Sequence, residues 1–285
     1  MSRNSVPRNT KMTLPPYLYK YESFSTQSLQ NLKNQVIYFG SPLKFNDPYD
    51  CALSPNIKNI TNDDLEKFEV YLQSNPEQAN WLKNQYGKDF STPLKEMLLR
   101  IGKKFIDNKI GDFLKERGVS CFSERKDSLL MWSHYGDHCK GFCLEFSTSE
   151  DDVFKKMRKV GYSSKMPEID IVAMFCDEDY DTIINNLYCT KATDWAYEQE
   201  WRAIHSEVGT EYGYPSSVLT GVYFGPDMEY AATEIIALIL AGQNEYVKLW
   251  KGSRSKESFS VEFQQITYTP YLEAKRKGML KSKDE

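Results

Sequence analysis

The sequence predicts an α+β fold in which a mixed, largely antiparallel sheet carries an all-helical insertion. Short segments in which apolar and polar residues alternate occur near the N-terminus and again after residue 117, as in β-strands. Between them, over about 61–117, apolar residues repeat at three- and four-residue spacing, which is the pattern of amphipathic helices. Strands and helices that are grouped rather than strictly alternating favour α+β.

The N-terminal part is read as tail, strand, helix and strand. Residues 1–16 are polar, end in Pro-Pro and are expected to be disordered. The segment 17–24, "YLYKYESF", alternates like a strand, and "STQSLQNLKNQ" after it predicts a helix capped by Ser25 or Thr26. "VIYFGSP" predicts a second strand that ends at Gly40 and Pro42, and a turn-rich loop, "LKFNDPYD", comes next.

After the helical insertion the pattern returns to strands. The β-like segments are "GVSCFSE", "GFCLEFS", "MRKVGYSS", "EWRAIHSE", "SVLTGVYFGP" and "SFSVEFQQITYT". "DMEYAATEIIALILAG" predicts a helix between the last two of them. We expect a single domain over 17–272 and a charged tail over 273–285.

Composition narrows the function classes. The net charge of −4 gives no overall attraction to nucleic acid, although local patches stay open. There is no signal-peptide pattern and no apolar run close to the roughly 18 residues that cross a bilayer. We therefore expect no membrane association, a cytoplasmic location and reduced cysteines. The glycine motifs of P-loop and dinucleotide-binding proteins do not occur, nor does the Gly-x-Ser-x-Gly elbow.

The segment "WAYEQEWR", residues 195–202, places two glutamates among large aromatic residues. Read as a strand, it directs Glu198, Glu200 and Arg202 to one face, because alternate residues share a face. Two neighbouring carboxylates can raise the pKa of one of them and keep it available for catalysis. The structural alternative is a solvated face in which Arg202 neutralises the glutamates.

Two further segments carry candidate ligand contacts. In "LLMWSHYGDH" the Met, Trp, His and Tyr side chains are crowded enough to line a pocket, and for His134 itself burial with a bond to backbone is favoured over a role as metal ligand. A zinc site from His134, His138, Cys139 and Cys143 is disfavoured because Gly136 interrupts any helix that would carry both histidines. In "YFGSPLKFNDPYDC", Asn46-Asp47-Pro48 forms an Asx-type turn, and the loop can also contact a polar ligand.

The order of these segments resembles a widespread bacterial family of unknown function. The resemblance runs from about Leu18 to Tyr268 and is carried by "FNDPYD", "MWSHY" and "YEQEWR". The chain also looks like a remote relative of ADP-ribosyltransferases, notably bacterial toxins that modify nucleic acid. It departs from their pattern by having Lys20 where His or Arg is usual and by lacking a Ser-Thr-Ser triplet.

The second resemblance implies an NAD-dependent ADP-ribosyltransferase, with a toxin or anti-phage role and a nucleic acid or protein acceptor. It implies that Glu200 stabilises the ribosyl cation, that Glu198 acts on the acceptor, and that Arg202 holds a phosphate or Glu198. Lys20 would contact the adenosine ribose, and Phe122, Trp132 and Tyr135 would line the nicotinamide slot. The residues expected to bind NAD are Lys20, Tyr21, Ser41, Asn46, Asp47, Phe122, Ser123, Trp132, His134, Tyr135 and Arg202.

Two other function classes stay open. One is a non-catalytic module that binds a nucleotide or a protein partner in the same slot. The other is a nuclease or hydrolase in which Asp47, Asp50, Glu198 and Glu200 surround a divalent ion, which requires all four carboxylates to converge on one point.

Overall fold

The protein has an α+β fold built on one large mixed sheet, which confirms the predicted fold class. The computed structural model describes residues 13–86, 93–178, 180–244 and 246–278. The strands are β1 (Tyr17–Glu22), β2 (Val36–Tyr38), β3 (Gly118–Ser123), β4 (Phe142–Ser147), β5 (Arg158–Lys159), β6 (Gly161–Ser163), β7 (Thr190–Ala192), β8 (Glu200–His205), β9 (Glu211–Gly213), β10 (Leu219–Phe224), β11 (Lys248–Arg254) and β12 (Val261–Ile266).

Eight of these strands form the large sheet in the order β12-β11-β10-β4-β1-β3-β8-β5. Within this sheet the pair β10–β11 is parallel, and the other neighbouring pairs are antiparallel. β2 pairs with β9 and β6 pairs with β7 in two small sheets.

Several of the helices begin at capping residues that the sequence shows. They are α1 (Thr26–Asn34), α2 (Asn62–Ser74), α3 (Pro76–Tyr86), α4 (Leu94–Glu116), α5 (Leu129–His134), α6 (Asp152–Lys155), α7 (Ile171–Cys176), α8 (Tyr180–Tyr188), α9 (Tyr230–Ala241) and α10 (Tyr271–Arg276). The hydroxyl groups of Ser25 and Thr61 accept hydrogen bonds from backbone N–H groups in the first turns of α1 and α2. Within the described residues, the structure contains no helix that is long and apolar enough to span a membrane.

Strand alternation divides the core into separate clusters on the two faces of the sheet. On one face Leu18, Phe122 and Trp201 pack into the largest cluster. On the other face lie two smaller clusters, one around Tyr21 and Trp132 and one formed by residues that include Cys51, Val119 and Tyr188. The candidate site described below lies between these two smaller clusters.

The helical insertion has a hydrophobic core of its own. Helices α2, α3 and α4 enclose buried residues such as Phe68 and Leu98, and α7 and α8 complete the same cluster with Ile171 and Ile183. Two segments that are distant in sequence therefore build this layer. The helical pattern over 61–117 predicts only the segment that contains α2, α3 and α4.

Near the C-terminus the structure differs from the sequence-based expectations at two places. The segment Lys248–Arg254 forms strand β11, which the sequence analysis does not predict because Lys and Gly interrupt its alternation. Residues Tyr271–Arg276 form a helix after Pro270, with Ala274 buried, where a charged tail is expected to begin at 273. Of the two expected tails, residues 1–12 and 279–285 lie outside the described residues.

Candidate functional site

A cleft with a volume of about 430 Å³ lies where the large sheet opens between β1 and β3. These two strands pair only at Tyr19 and Ser123, so they separate toward the other end of β3. One wall is the loop after β2, with Lys44, Phe45, Asn46 and Asp50, and the other wall comes from β1 and α5. The volume lies within the range of small-molecule sites.

The two glutamates of "YEQEWR" reach the cleft through a turn rather than along one strand. Thr193–Glu198 forms a 3₁₀ helix, Gln199 takes a left-handed conformation with φ of 44°, and β8 begins only at Glu200. The predicted strand over 195–202 is therefore wrong in its first half. Ser123 fixes the turn, since its hydroxyl donates to the backbone oxygen of Glu198 at 2.6 Å and accepts from Arg125 N at 3.0 Å.

Arg202 is fully buried and has all five N–H donors bound within the protein. Its guanidinium forms two hydrogen bonds with Glu200, at 2.8 and 2.9 Å, and two with Asp50, both at 2.7 Å. The fifth N–H donates to the backbone oxygen of Tyr188 at 2.8 Å. Since an arginine has five N–H donors, none is left for a ligand phosphate. The expected role of Arg202 in holding a phosphate or Glu198 is therefore wrong.

Lys191 holds the three carboxylates together. Its ammonium nitrogen lies 2.7 Å from Oε2 of Glu198, 3.3 Å from Oδ2 of Asp50 and 3.7 Å from Oε2 of Glu200. The lysine side chain is only 3% exposed, so this ion pairing occurs away from bulk water. Sequence reasoning missed Lys191, because a single lysine in "YCTKATDW" carries no signal of its own.

The two glutamates differ in the direction of their pKa shifts. Burial, together with the negative charge of Glu200, raises the pKa of Glu198 from 4.5 to about 7. Burial also disfavours ionisation of Glu200, but the charges of Arg202 and Lys191, together with the hydrogen bonds from Arg202, outweigh burial and hold the pKa of Glu200 below its usual value. The cleft thus contains one carboxyl that can exchange a proton near neutral pH and one that stays ionised.

Tyr135 binds Glu198 and belongs to a group of neighbouring aromatic side chains. The Tyr135 hydroxyl donates to Oε1 of Glu198 at 2.6 Å and lies 3.4 Å from Oδ1 of Asn46. His134 is exposed, and its ring centre is 6.0 Å from that of Trp195 and 6.1 Å from that of Tyr197. The alternative of a buried His134 is therefore wrong.

The structure brings most of the sequence-predicted site residues to this cleft and places a few elsewhere. The predicted residues that line it on the side of the glutamates are Tyr21, Asn46, Ser123, His134, Tyr135, Glu198, Glu200 and Arg202. Lys20 and Phe122 border the cleft, but strand alternation directs their side chains to the opposite face of the sheet. There the Lys20 ammonium lies 3.5 Å from Glu22 and 5.5 Å from the Phe122 ring centre.

Three predicted residues do not line the cleft. Trp132 is fully buried, packs edge-on against Tyr21 and donates its indole N–H to the backbone oxygen of Lys126, so neither ring face is open to a ligand. Ser41 begins the 3₁₀ helix Pro42–Lys44. Asp47 is buried and accepts a hydrogen bond from the backbone N–H of Tyr49, as expected for an Asx turn.

The carboxylates do not form a metal-binding cluster. Asp50, Glu198 and Glu200 converge, but the Lys191 ammonium occupies the space among them and Asp47 is not part of the group. No set of three or more His, Cys, Asp or Glu side chains in the described part of the chain is arranged to hold a metal ion. The arrangement of four converging carboxylates that the divalent-ion hypothesis requires is not found.

Comparison with known proteins identifies one family match. A family model described as "Protein of unknown function (DUF2971)" matches residues 131–203. No curated protein and no solved structure matches the chain. The matched span runs from α5 into β8 and contains Tyr135, Lys191, Glu198, Glu200 and Arg202. The chain is therefore similar, over this span, to an uncharacterised domain family whose matched segment carries most of the charged residues of the cleft.

Proposed function

We propose that the cleft binds NAD and catalyses transfer of its ADP-ribosyl group to a nucleophilic acceptor. The observation that carries this proposal is the pair of carboxyl groups with opposite pKa shifts in one aromatic-walled cleft. Group transfer from a glycosidic bond needs an anion that stabilises a sugar cation and a base that removes the proton of the acceptor. Glu200 and Glu198 match these two roles.

In the proposed reaction the bond between the nicotinamide nitrogen and C1′ of the ribose breaks, and both electrons leave with nicotinamide. Glu200, which Arg202 keeps ionised, stabilises the positive charge that develops on the ribose. The acceptor then forms a bond to C1′, and its proton passes to the carboxylate of Glu198. With water as acceptor the same steps hydrolyse NAD.

The other cleft residues have assigned parts in this proposal. Tyr135, Tyr21 and Phe45 supply ring surfaces for nicotinamide and limit the entry of water. Lys44 is the remaining cation for the pyrophosphate, because Arg202 and Lys191 are bound to carboxylates. The acceptor is a nucleic acid or a protein, and a toxin or anti-phage role in the cytoplasm fits a reaction of this kind.

The direct test measures nicotinamide release from NAD, with water alone and with RNA, DNA or protein as acceptor. Glu198→Gln should lower the rate about 100-fold to 10,000-fold, because the amide cannot accept the proton. The matched control is Glu69→Gln, an exposed position on α2, which should keep the wild-type rate. The proposal fails if the wild-type protein releases no nicotinamide under any of these conditions, or if Glu198→Gln retains the full rate.

One observation favours a non-catalytic binding module as second candidate. Four buried charged side chains form ion pairs with one another, as in a rigid structural network. They are Asp50, Lys191, Glu200 and Arg202. A thermal-shift series with NAD, ADP-ribose and common nucleotides separates the two functions. Stabilisation by a ligand without turnover supports the binding module, whereas stabilisation with nicotinamide release supports the transferase.

A further inference from the structure

A second cavity, with a volume of about 310 Å³, lies in the helical layer. Among the described residues, its lining comes from α2, α3, α7, α8 and the residue Glu178 between the last two helices. These lining residues are Tyr71, Gln78, Trp81, Phe175, Glu178 and Tyr180. None of these residues lines the cleft that contains Glu198. The proposed transferase reaction gives this cavity no role. The family match begins at residue 131, contains only the lining residues Phe175, Glu178 and Tyr180, and describes no function for them.

The cavity is lined mainly by aromatic rings. Tyr71 stacks on the fully buried Phe68 with ring centres 5.9 Å apart, and Phe175 lies 6.5 Å from Tyr71 at an angle of 49°. These ring contacts hold the side chains of Tyr71 and Phe175, which form the inner part of the cavity. Trp81 and Tyr180, which are 47% and 58% exposed, form the outer part. Large aromatic side chains that stay exposed beside a cavity indicate a surface for binding.

One carboxylate at this cavity has no cation bound to it among the described residues. Asp177 binds Lys67 with both oxygens, at 2.6 and 2.7 Å, so its charge is neutralised. The neighbouring Glu178 lines the cavity and is exposed. The backbone N–H of Tyr180 donates to the carbonyl oxygen of Glu178 at 2.8 Å, which ties Glu178 to the start of α8.

From this geometry we propose that the cavity is a binding site for a small organic cation that bears a methylated ammonium group. The aromatic rings of the lining attract such a cation because the face of an aromatic ring is negative, and methyl groups are easily removed from water. Glu178 adds the matching charge at the edge of the cavity. An unmethylated ammonium ion is strongly hydrated and gains less from the same rings.

The test is calorimetric titration of the full-length protein with choline, and with its uncharged isostere 3,3-dimethylbutan-1-ol. Choline should bind at least about tenfold more tightly than the isostere, because only the cation gains from the rings and the carboxylate. Trp81→Leu should weaken choline binding about tenfold, and Glu178→Gln several-fold. The control Tyr230→Leu removes an aromatic ring that is 72% exposed on α9 and should change nothing.

Glu178→Gln keeps the test decisive if Trp81→Leu does not fold, because it is a conservative change at an exposed position. The proposal is overturned if choline does not bind, if the uncharged isostere binds equally well, or if Glu178→Gln binds choline as the wild type does. Nicotinamide release is measured separately, so failure of this site leaves the transferase proposal untouched.

Discussion

Replacement of Glu198 by glutamine tests the electrostatic account of the cleft without any knowledge of its ligand. In the folded protein the pKa of Glu198 is raised from 4.5 to about 7, so the native state keeps a proton that the unfolded chain releases. The free energy of unfolding therefore falls as the pH rises from the lower value to the higher one. This loss amounts to about 3 kcal/mol for wild type, and it cannot occur when the residue is a neutral glutamine.

We expect the free energies of unfolding of wild type and Glu198→Gln to differ by an amount that depends on pH. Near pH 5 the protonated glutamic acid resembles glutamine, and the variant should unfold within about 1 kcal/mol of wild type. Near pH 8 the variant should have gained about 3 kcal/mol relative to wild type, since the ionised Glu198 is buried and lies close to Glu200.

Urea denaturation of both proteins at several pH values measures this difference in free energy. Ionisable groups that titrate alike in both proteins contribute equally to the two free energies and cancel in the difference. The matched variant Glu69→Gln, at an exposed helical position, should show a constant offset from wild type. A difference for Glu198→Gln that stays constant between the two pH limits would refute the raised pKa, and with it the assignment of Glu198 as the proton-exchanging group.

Three further changes test the surroundings of this residue. Arg202→Lys should destabilise the protein by about 3–5 kcal/mol in urea denaturation, because a lysine cannot bind both carboxylates bidentately. Arg158→Lys, at an exposed ion pair, should change stability by less than about 1 kcal/mol. Trp132→Ala should cost about 3–5 kcal/mol by the same assay yet leave NAD affinity unchanged, and a selective loss of affinity would contradict its place in the core. Lys191→Met should raise the pKa of Glu198 further in a carboxyl NMR titration, since it removes the adjacent cation, whereas an unchanged or lower pKa would contradict the ion pair.

The sequence located much of the cleft because its residues occur in compact, unusual segments. "YEQEWR", "MWSHY" and "FNDPYD" contribute Glu198, Glu200, Tyr135 and Asn46 to one cavity. The spacing of residues along the chain does not predict how the two glutamates come to lie side by side. Strand alternation was expected to align the two glutamates, whereas a left-handed Gln199 separates a 3₁₀ helix from β8 between them.

The residues that sequence reasoning misplaces are ones whose contacts depend on the tertiary structure. Lys191 was not noticed, because a single lysine in a strand-like segment carries no signal of its own. Arg202 was expected to meet a ligand, and instead binds Asp50, which is distant in sequence. Trp132 was expected in the slot, although the pattern of apolar residues in α5 gives no indication of which side faces the core.

The sequence by itself determined the fold class, most of the strands and the first part of the helical layer. These features follow from local periodicity and capping, which neighbouring residues impose on the backbone. Tertiary structure alone decided which carboxyl is ionised, which cations are already bound, and which aromatic rings remain open to a ligand. Desolvation and Coulomb interactions depend on distances between residues far apart in the chain, and only the folded arrangement of β1, β3, β7 and β8 sets those distances.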